Sequence, residues 1–329
     1  MNRCILVISL LLIWGSCRKE LPPIEERFSR SAFQVQEMDY VPLSRQVSVN
    51  TNLESKVSIT VLGHNGAASN VQQDFNAFAN EHELAIHGLY ADTTNRVVVQ
   101  FFNQANHLLG QDTLLIETVL TTENLPSISI EVPAVSNTGP GDFYLISYRG
   151  KTQPMVPILI DQFGDIRWLA DFSDHPELNE LHFDVGLERL QNGNWYFGDK
   201  VTNQIYEMTM EGAFLNAWSL PGYAFHHNVQ ETANGNFLVT VSKEGNIHQN
   251  GTPTVEDVLI ELDRNSGTII HEWNLLESLD ENRVVLINNL ANPIIDWIHV
   301  NAVQTGPTGQ GALISGRTQG VVLLDEHNQ

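Results

Sequence analysis

One phrase, written three times, restricts what this chain can fold into. Residues 156–161 run apolar to Asp161, turn at Phe163-Gly164 and return to Trp168. Residues 205–208 turn at Glu211-Gly212 and return to Trp218; residues 258–263 turn at Ser266-Gly267 and return to Trp273. Each reads as a hairpin whose second strand ends in tryptophan. Between the hairpins stands a second phrase. His182-Phe183-Asp184 precedes Asn192-Gly193-Asn194, His226-His227-Asn228 precedes Asn234-Gly235-Asn236, and His299-Val300-Asn301 precedes Thr308-Gly309-Gln310-Gly311. Asn-Gly between alternating apolar runs is a strong hairpin signal. Four strands per repeat, recurring every ~40–60 residues, is the pattern of a β-propeller. Residues 141–329 hold about four blades at ordinary blade length. Residues 320–329 match the first strand and turn of another hairpin. A ring that stopped there would leave strand edges open, so the expectation is a propeller that is incomplete in this chain.

The segment ahead of the repeats is also β in pattern, which makes the expected fold all-β. Residues 56–61, 96–102 and 113–118 alternate or run apolar between Asn- and Gly-containing turns, and such spacing predicts an N-terminal β-sandwich over 48–135. Residues 133–141, rich in Pro, Gly, Ser and Asn, read as a linker. At the start, Asn2-Arg3 precedes an apolar run and then Gly15-Ser16-Cys17. A basic start, a short apolar stretch and small residues before a cut site describe a secretory signal over 1–17. The run is too short for a typical membrane span, and a cysteine after Gly-Ser resembles a bacterial lipoprotein signal, with Cys17 as the lipidated residue. Cys4, the other of the 2 cysteines, would be removed with the signal, leaving no internal disulfide. Residues 18–47 read as a tether. The expected location is the cell envelope, with membrane contact through the lipid only. A formal net charge of −22 repels nucleic acid, and it makes any well-placed arginine notable as a site for an anion.

That arginine is Arg317, 18 residues after His299 in the run Asp296-Trp297-Ile298-His299-Val300-Asn301 … Ser315-Gly316-Arg317. His226 and His299 hold the same place in two repeats, at the start of the strand nearest a propeller axis. Asn228 and Asn301 follow two residues on, and period-two geometry predicts them on the same face as their histidines. His227 is then expected to point away, toward core or an inter-blade gap. The plainer reading is that such histidines hydrogen-bond neighbouring blades; their convergence with an arginine favours a site. No metal is expected, because adjacent His226 and His227 cannot both point inward and no cysteine or close carboxylate completes a zinc set. No Gly-x-Ser-x-Gly, Gly-x-Gly-x-x-Gly or phosphate loop is present.

The phrases His226-His227-Asn228 … Asn234-Gly235-Asn236, Leu262-Asp263 … Glu272-Trp273, Asp296-Trp297-Ile298-His299-Val300-Asn301 and Ser315-Gly316-Arg317 resemble the bacterial arylsulfate sulfotransferase family. Gly88-Leu89-Tyr90-Ala91-Asp92-Thr93 is similar to that family's N-terminal domain. The resemblance implies a six-bladed propeller, a small-molecule aryl sulfate donor and phenol acceptor, no cofactor, and room for a homodimer. It implies catalytic roles for His226, His299 and Arg317; Asn228 and Asn301 are expected to bind substrate as amide donors to the developing oxyanions. It also implies a later histidine, transiently sulfated, which is expected to be missing because residue 329 lies 12 positions after Arg317. The alternative expectation is a non-catalytic propeller lipoprotein that binds a ligand or partner.

Overall fold

The computed structural model describes residues 27–120, 125–131, 143–148, 154–283 and 292–328. The expected signal, Cys17, the start of the tether and the whole linker lie outside them. No helix among the described residues is long and apolar enough to cross a membrane.

The N-terminal unit is an antiparallel sheet of β1 (Gln34–Glu37), β2 (Arg45–Val61), β3 (Val71–Ile86), β4 (Thr93–Phe102) and β5 (Leu108–Thr118). The long β2 pairs with β3 along its length, with β1 at its start and with β4 at its end. A register shift between Asn50 and Ser55 divides it, and both halves alternate buried and accessible residues. Val47 and Val49 from one half share a core with Val57, Ile59, Val99 and Phe101 from the other, which is the sandwich the alternation predicts. The expected tether over 18–47 ends too late: β1 and the start of β2 belong to the sheet. All four residues of β1 are exposed, so this edge strand carries no apolar periodicity to betray it.

The repeats form four sheets. They are β6 (Phe143–Tyr148), β7 (Val156–Asp161) and β8 (Ile166–Leu169); β9 (Glu188–Arg189), β10 (Trp195–Asp199), β11 (Gln204–Met208) and β12 (Phe214–Ser219); β13 (Tyr223–Glu231), β14 (Phe237–Lys243), β15 (Val258–Leu262) and β16 (Ile269–Asn274); and β17 (Val300–Thr305), β18 (Ala312–Gly316) and β19 (Gly320–Leu324). These are successive propeller blades. Their cores lie between blades rather than within them: Tyr196, Ile205 and Trp218 of the second pack on Phe225, Val239 and Ile260 of the third. Leu238, Leu259 and Trp273 of the third pack on Val300, Ile314 and Leu324 of the fourth. Middle strands are therefore covered on both faces, and β10 is buried at every position.

The repeated tryptophan has a definite task. Trp168 Nε1 donates to Met210 O at 3.0 Å, Trp218 Nε1 to Arg264 O at 2.9 Å, and Trp273 Nε1 to Asp325 O at 2.7 Å. Each indole reaches the turn after the third strand of the next blade, burying a large ring while satisfying its one donor. This register makes β6–β8 the second to fourth strands of their blade and β17–β19 the first to third of theirs. First strands lie against the adjoining blades, β13 against β17 and against β10, the second strand of the blade before it. Side-chain amides join them: Val303 N donates to Asn228 Oδ1 at 3.1 Å and Thr305 N to Gln230 Oε1 at 2.8 Å.

Candidate active site

The site forms where first strands depart from regular β geometry. β13 pairs with β14 at 223–225 and at 229–231, and the register shifts between. Thr240, fully buried, fills the gap: its hydroxyl accepts from Asn228 N at 3.0 Å and donates to the His226 carbonyl. His227 sits at φ +54°. A bulge of this kind re-aims side chains, and here it cancels the period-two expectation. Both His226 and His227 turn toward Glu256, one donor atom of each lying within 4.8 Å of the others. The same happens before β17. His299 takes φ +53°, the β17 register shifts between Val300 and Ala302, and Asn301 is exposed with its amide donating to His299 O at 3.1 Å.

Buried anchors hold this irregular backbone. Trp297, with no exposed surface, donates its indole N–H to Asp257 Oδ2 at 3.0 Å. The next residue back, Glu256, sits at φ +58° and presents its carboxylate to the histidines. After β18 the chain turns back on the same loop. Arg317 N donates to His299 O at 3.0 Å, Thr318 N to Ile298 O at 3.3 Å, and the Thr318 hydroxyl to Trp297 O. Gly316 is required there, since a Cβ would lie 2.7 Å from Ile298 Cγ1. Eight non-glycine residues among those described have positive φ. Three of them, His227, Glu256 and His299, meet at this cluster, a concentration of strained backbone that is usual where side chains are held for function.

His299 is at its centre. Its Nδ1 lies 2.5 Å from Asp296 Oδ2 and 2.7 Å from Glu256 Oε2. Its Nε2 meets Arg317 Nη2 and stands 3.1 Å from His227 Nε2. His227 Nδ1 is 3.4 Å from Asp184 Oδ2, and its Nε2 is 3.4 Å from Glu256 Oε2. The carboxylates thus gather on the Nδ1 side of His299 and fix its proton there, leaving Nε2 toward the guanidinium. Burial works against the charge of Glu256, but the His227 hydrogen bond and the charges of His226 and His299 overcome it and hold the carboxyl down to about 2. His227 is raised, chiefly by its hydrogen bond to Glu256 and against the effect of its burial. Burial raises Asp296 and pushes His226, which is 3% exposed, down to about 4.

The structure therefore brings His299 and Arg317 together as the sequence suggests. It places His226 behind them and His227 in contact with His299, the reverse of the expected order. Asn228 accepts from Val303 N with its side-chain oxygen and lines a cavity of about 280 Å³ together with Gln230, Ala302 and Ser315. Glu256 escaped the sequence reading altogether, and Asp184 and Asp296 were quoted in phrases without being given a role. The supposed lack of a close carboxylate is corrected by all three. The larger apolar cleft, about 670 Å³ beside Trp168, Trp195 and Arg167, lies between the N-terminal unit and the first two blades, away from this cluster.

The curated arylsulfate sulfotransferase AssT of Escherichia coli O6:H1 is 23% identical over 88% of this chain and 61% of its own length. That of Lelliottia amnigena is 21% identical over 95% of this chain and 65% of its own, so the chain spans less than two thirds of either relative. Among solved structures, a protein of unknown function from Bacteroides caccae aligns with TM-score 0.35 and 13% identity over 83% of this chain and 92% of that one. An inactive virginiamycin B lyase from Staphylococcus aureus aligns with TM-score 0.34 and 10% identity over 91% and 73%. The family model for the arylsulfotransferase Ig-like domain matches residues 33–119. With the arylsulfotransferase (ASST) model matching residues 129–329, the chain belongs to the arylsulfotransferase family.

Proposed function

We propose that this protein is an arylsulfate sulfotransferase of the bacterial cell envelope. It transfers the sulfuryl group of a phenolic sulfate ester to a phenol through a histidine-bound intermediate, within a propeller completed to six blades. Cys17 carries its lipid anchor. The observation that carries this reading is the single imidazole of His299, gripped at Nδ1 by two carboxylates and faced at Nε2 by Arg317.

The chemistry suits that arrangement. In the first step the sulfur–oxygen bond to the donor's aryl oxygen breaks and a sulfur–nitrogen bond forms on an accepting histidine. The phenolate takes a proton as it leaves. In the second step the acceptor's oxygen attacks sulfur, the sulfur–nitrogen bond breaks, and the acceptor's proton returns to the enzyme. Both steps build charge on the sulfonyl oxygens, which a planar guanidinium binds in a fork. His299 Nε2 takes the acceptor's proton in the second step and, as an imidazolium held by Asp296 and Glu256, returns it to the next departing phenolate; a positioned acid–base group of this kind contributes about 10²–10⁴-fold. The Asn228 amide adds a neutral donor. Asp296 and Glu256 set the tautomer of His299 from behind without facing the anion.

The test uses 4-nitrophenyl sulfate as donor and phenol as acceptor. The expected result is release of 4-nitrophenolate that depends on phenol and is matched by equal formation of phenyl sulfate. Arg317→Ala is expected to lower kcat/KM by about a hundredfold or more. Donor cleavage that proceeds equally without phenol, or its absence from the intact protein, refutes the reading.

A further inference from the structure

A buried histidine with neither ring nitrogen partnered lies beside the active-site imidazoles. Among the described residues, eight buried side-chain nitrogen or oxygen atoms lack a hydrogen-bond partner. Two of these are the ring nitrogens of one residue, His226 Nδ1 and Nε2. His226 is 3% exposed, and the Val241 backbone approaches its ring without completing a hydrogen bond. Glu256 Oε2 stands beside it, 2.7 Å from His299 Nδ1 and 3.4 Å from His227 Nε2. A buried imidazole with neither nitrogen partnered is costly and asks for an occupant.

We propose that His226, His227 and Glu256 bind a divalent cation of zinc's class. Each offers one ligand atom, and the three atoms lie within 4.8 Å of one another. Ligands on one zinc ion stand about 2.0–2.2 Å from the metal, so small side-chain rotations bring these three onto a common centre. Two imidazoles and one carboxylate form a donor set typical of zinc, with a further position left for water. The neighbouring group of Glu256, Asp296 and His299 is a poorer candidate. Its contacts of 2.5 and 2.7 Å are hydrogen-bond lengths, shorter than the spacing of two ligands on one ion. Glu256 thus joins two functions, steadying His299 on one side and holding the cation on the other. The cation would also offset the negative charge of Asp184, Glu256 and Asp296, which otherwise accumulates beneath a face that must accept a sulfate ester. The proposal does not depend on sulfuryl transfer.

The experiment uses the full chain without an affinity tag. After chelator treatment and reloading with zinc chloride, the expected result is one zinc retained per chain through desalting, with a raised thermal midpoint. Loading with cobalt(II) is expected to give visible d–d absorption from nitrogen and oxygen ligands. His226→Gln abolishes both, whereas His107→Gln, at an exposed turn of the N-terminal unit, changes neither. Circular dichroism of the metal-free His226→Gln protein checks that it is folded; if it is not, the cobalt spectrum of the unaltered protein decides. Loss of all zinc on desalting together with no cobalt absorption overturns the proposal. Because these readouts involve no turnover, the metal site and the transferase reading can fail separately.

Discussion

At the scale of single residues, the site is a matter of which nitrogen of His299 is held. Asp296 and Glu256 fix Nδ1, so neither need touch substrate to matter. Asp296→Asn keeps the shape but can present its amide nitrogen where His299 donates. The expected result is a fall in kcat of about 10–100-fold, as for other lost supporting partners, with KM for the aryl sulfate little changed and the pH profile of kcat displaced. Arg317→Lys instead replaces a fork with a point charge and raises KM. Steady-state kinetics on the two variants separate these outcomes, and equal changes in KM would contradict the assignment. His299 and Arg317 were legible in the sequence because a distinctive phrase and a fixed interval mark them. Glu256 was not, since its place depends on a loop at positive φ that brings a residue 43 positions before His299 under the same ring. The orientations of His226 and His227 differ from the expected ones for a similar reason: alternation holds only in an unbroken strand, and here the strand is bulged.

At the scale of elements, the repeated hairpins and their tryptophans were readable because blade stacking imposes the same demand on each copy. The loop carrying Asp184 was less so. Gly186 lets that loop lie on β13: its φ is +59°, and a Cβ would come 2.6 Å from Val229 N and 2.9 Å from Asn228 Cα. Both atoms are backbone of the strand that carries the histidines, so neither can yield alone. Gly186→Ala is expected to destabilise the protein by about 2 kcal/mol or more and to reduce activity by displacing Asp184 from His227. Urea unfolding midpoints and initial rates check it. A Gly235→Ala control has a positive φ of +82° but nothing within 4 Å of its Cβ, so it bears the backbone strain without the collision. A loss at Gly186 no larger than at Gly235 would mean that the close approach does not constrain the loop.

At the scale of the whole molecule, the N-terminal unit is joined to the propeller by charge as well as by apolar contact. Arg167, 1% exposed, donates to Gly88 O at 3.0 and 2.7 Å, to Ser69 O and Tyr90 Oη at 3.0 Å each, and pairs with Asp161 at 2.8 Å. A second link is more accessible. His87 Nε2 lies 3.3 Å from Glu211 Oε1, whose side chain is 41% exposed. The His87 hydrogen bond, against the effect of burial, is the chief cause that holds the Glu211 carboxyl down to about 2 from its ordinary 4.5. A carboxyl with a depressed folded-state value stabilises above its unfolded value and loses that contribution as pH falls through the folded one. The window is therefore pH 4.5 down to about 2. Solvent screening at a partly exposed pair limits the contribution to about 1 kcal/mol. Acid also neutralises many of the 39 acidic residues, so the slope of the native protein alone would not identify this pair. The difference from His87→Gln does. That variant is expected to be less stable by about 1 kcal/mol above pH 4.5 and to converge on the native protein near pH 2. Denaturant unfolding across that range measures the gap, and a gap that stays constant with pH would show that His87 acts there through packing rather than charge.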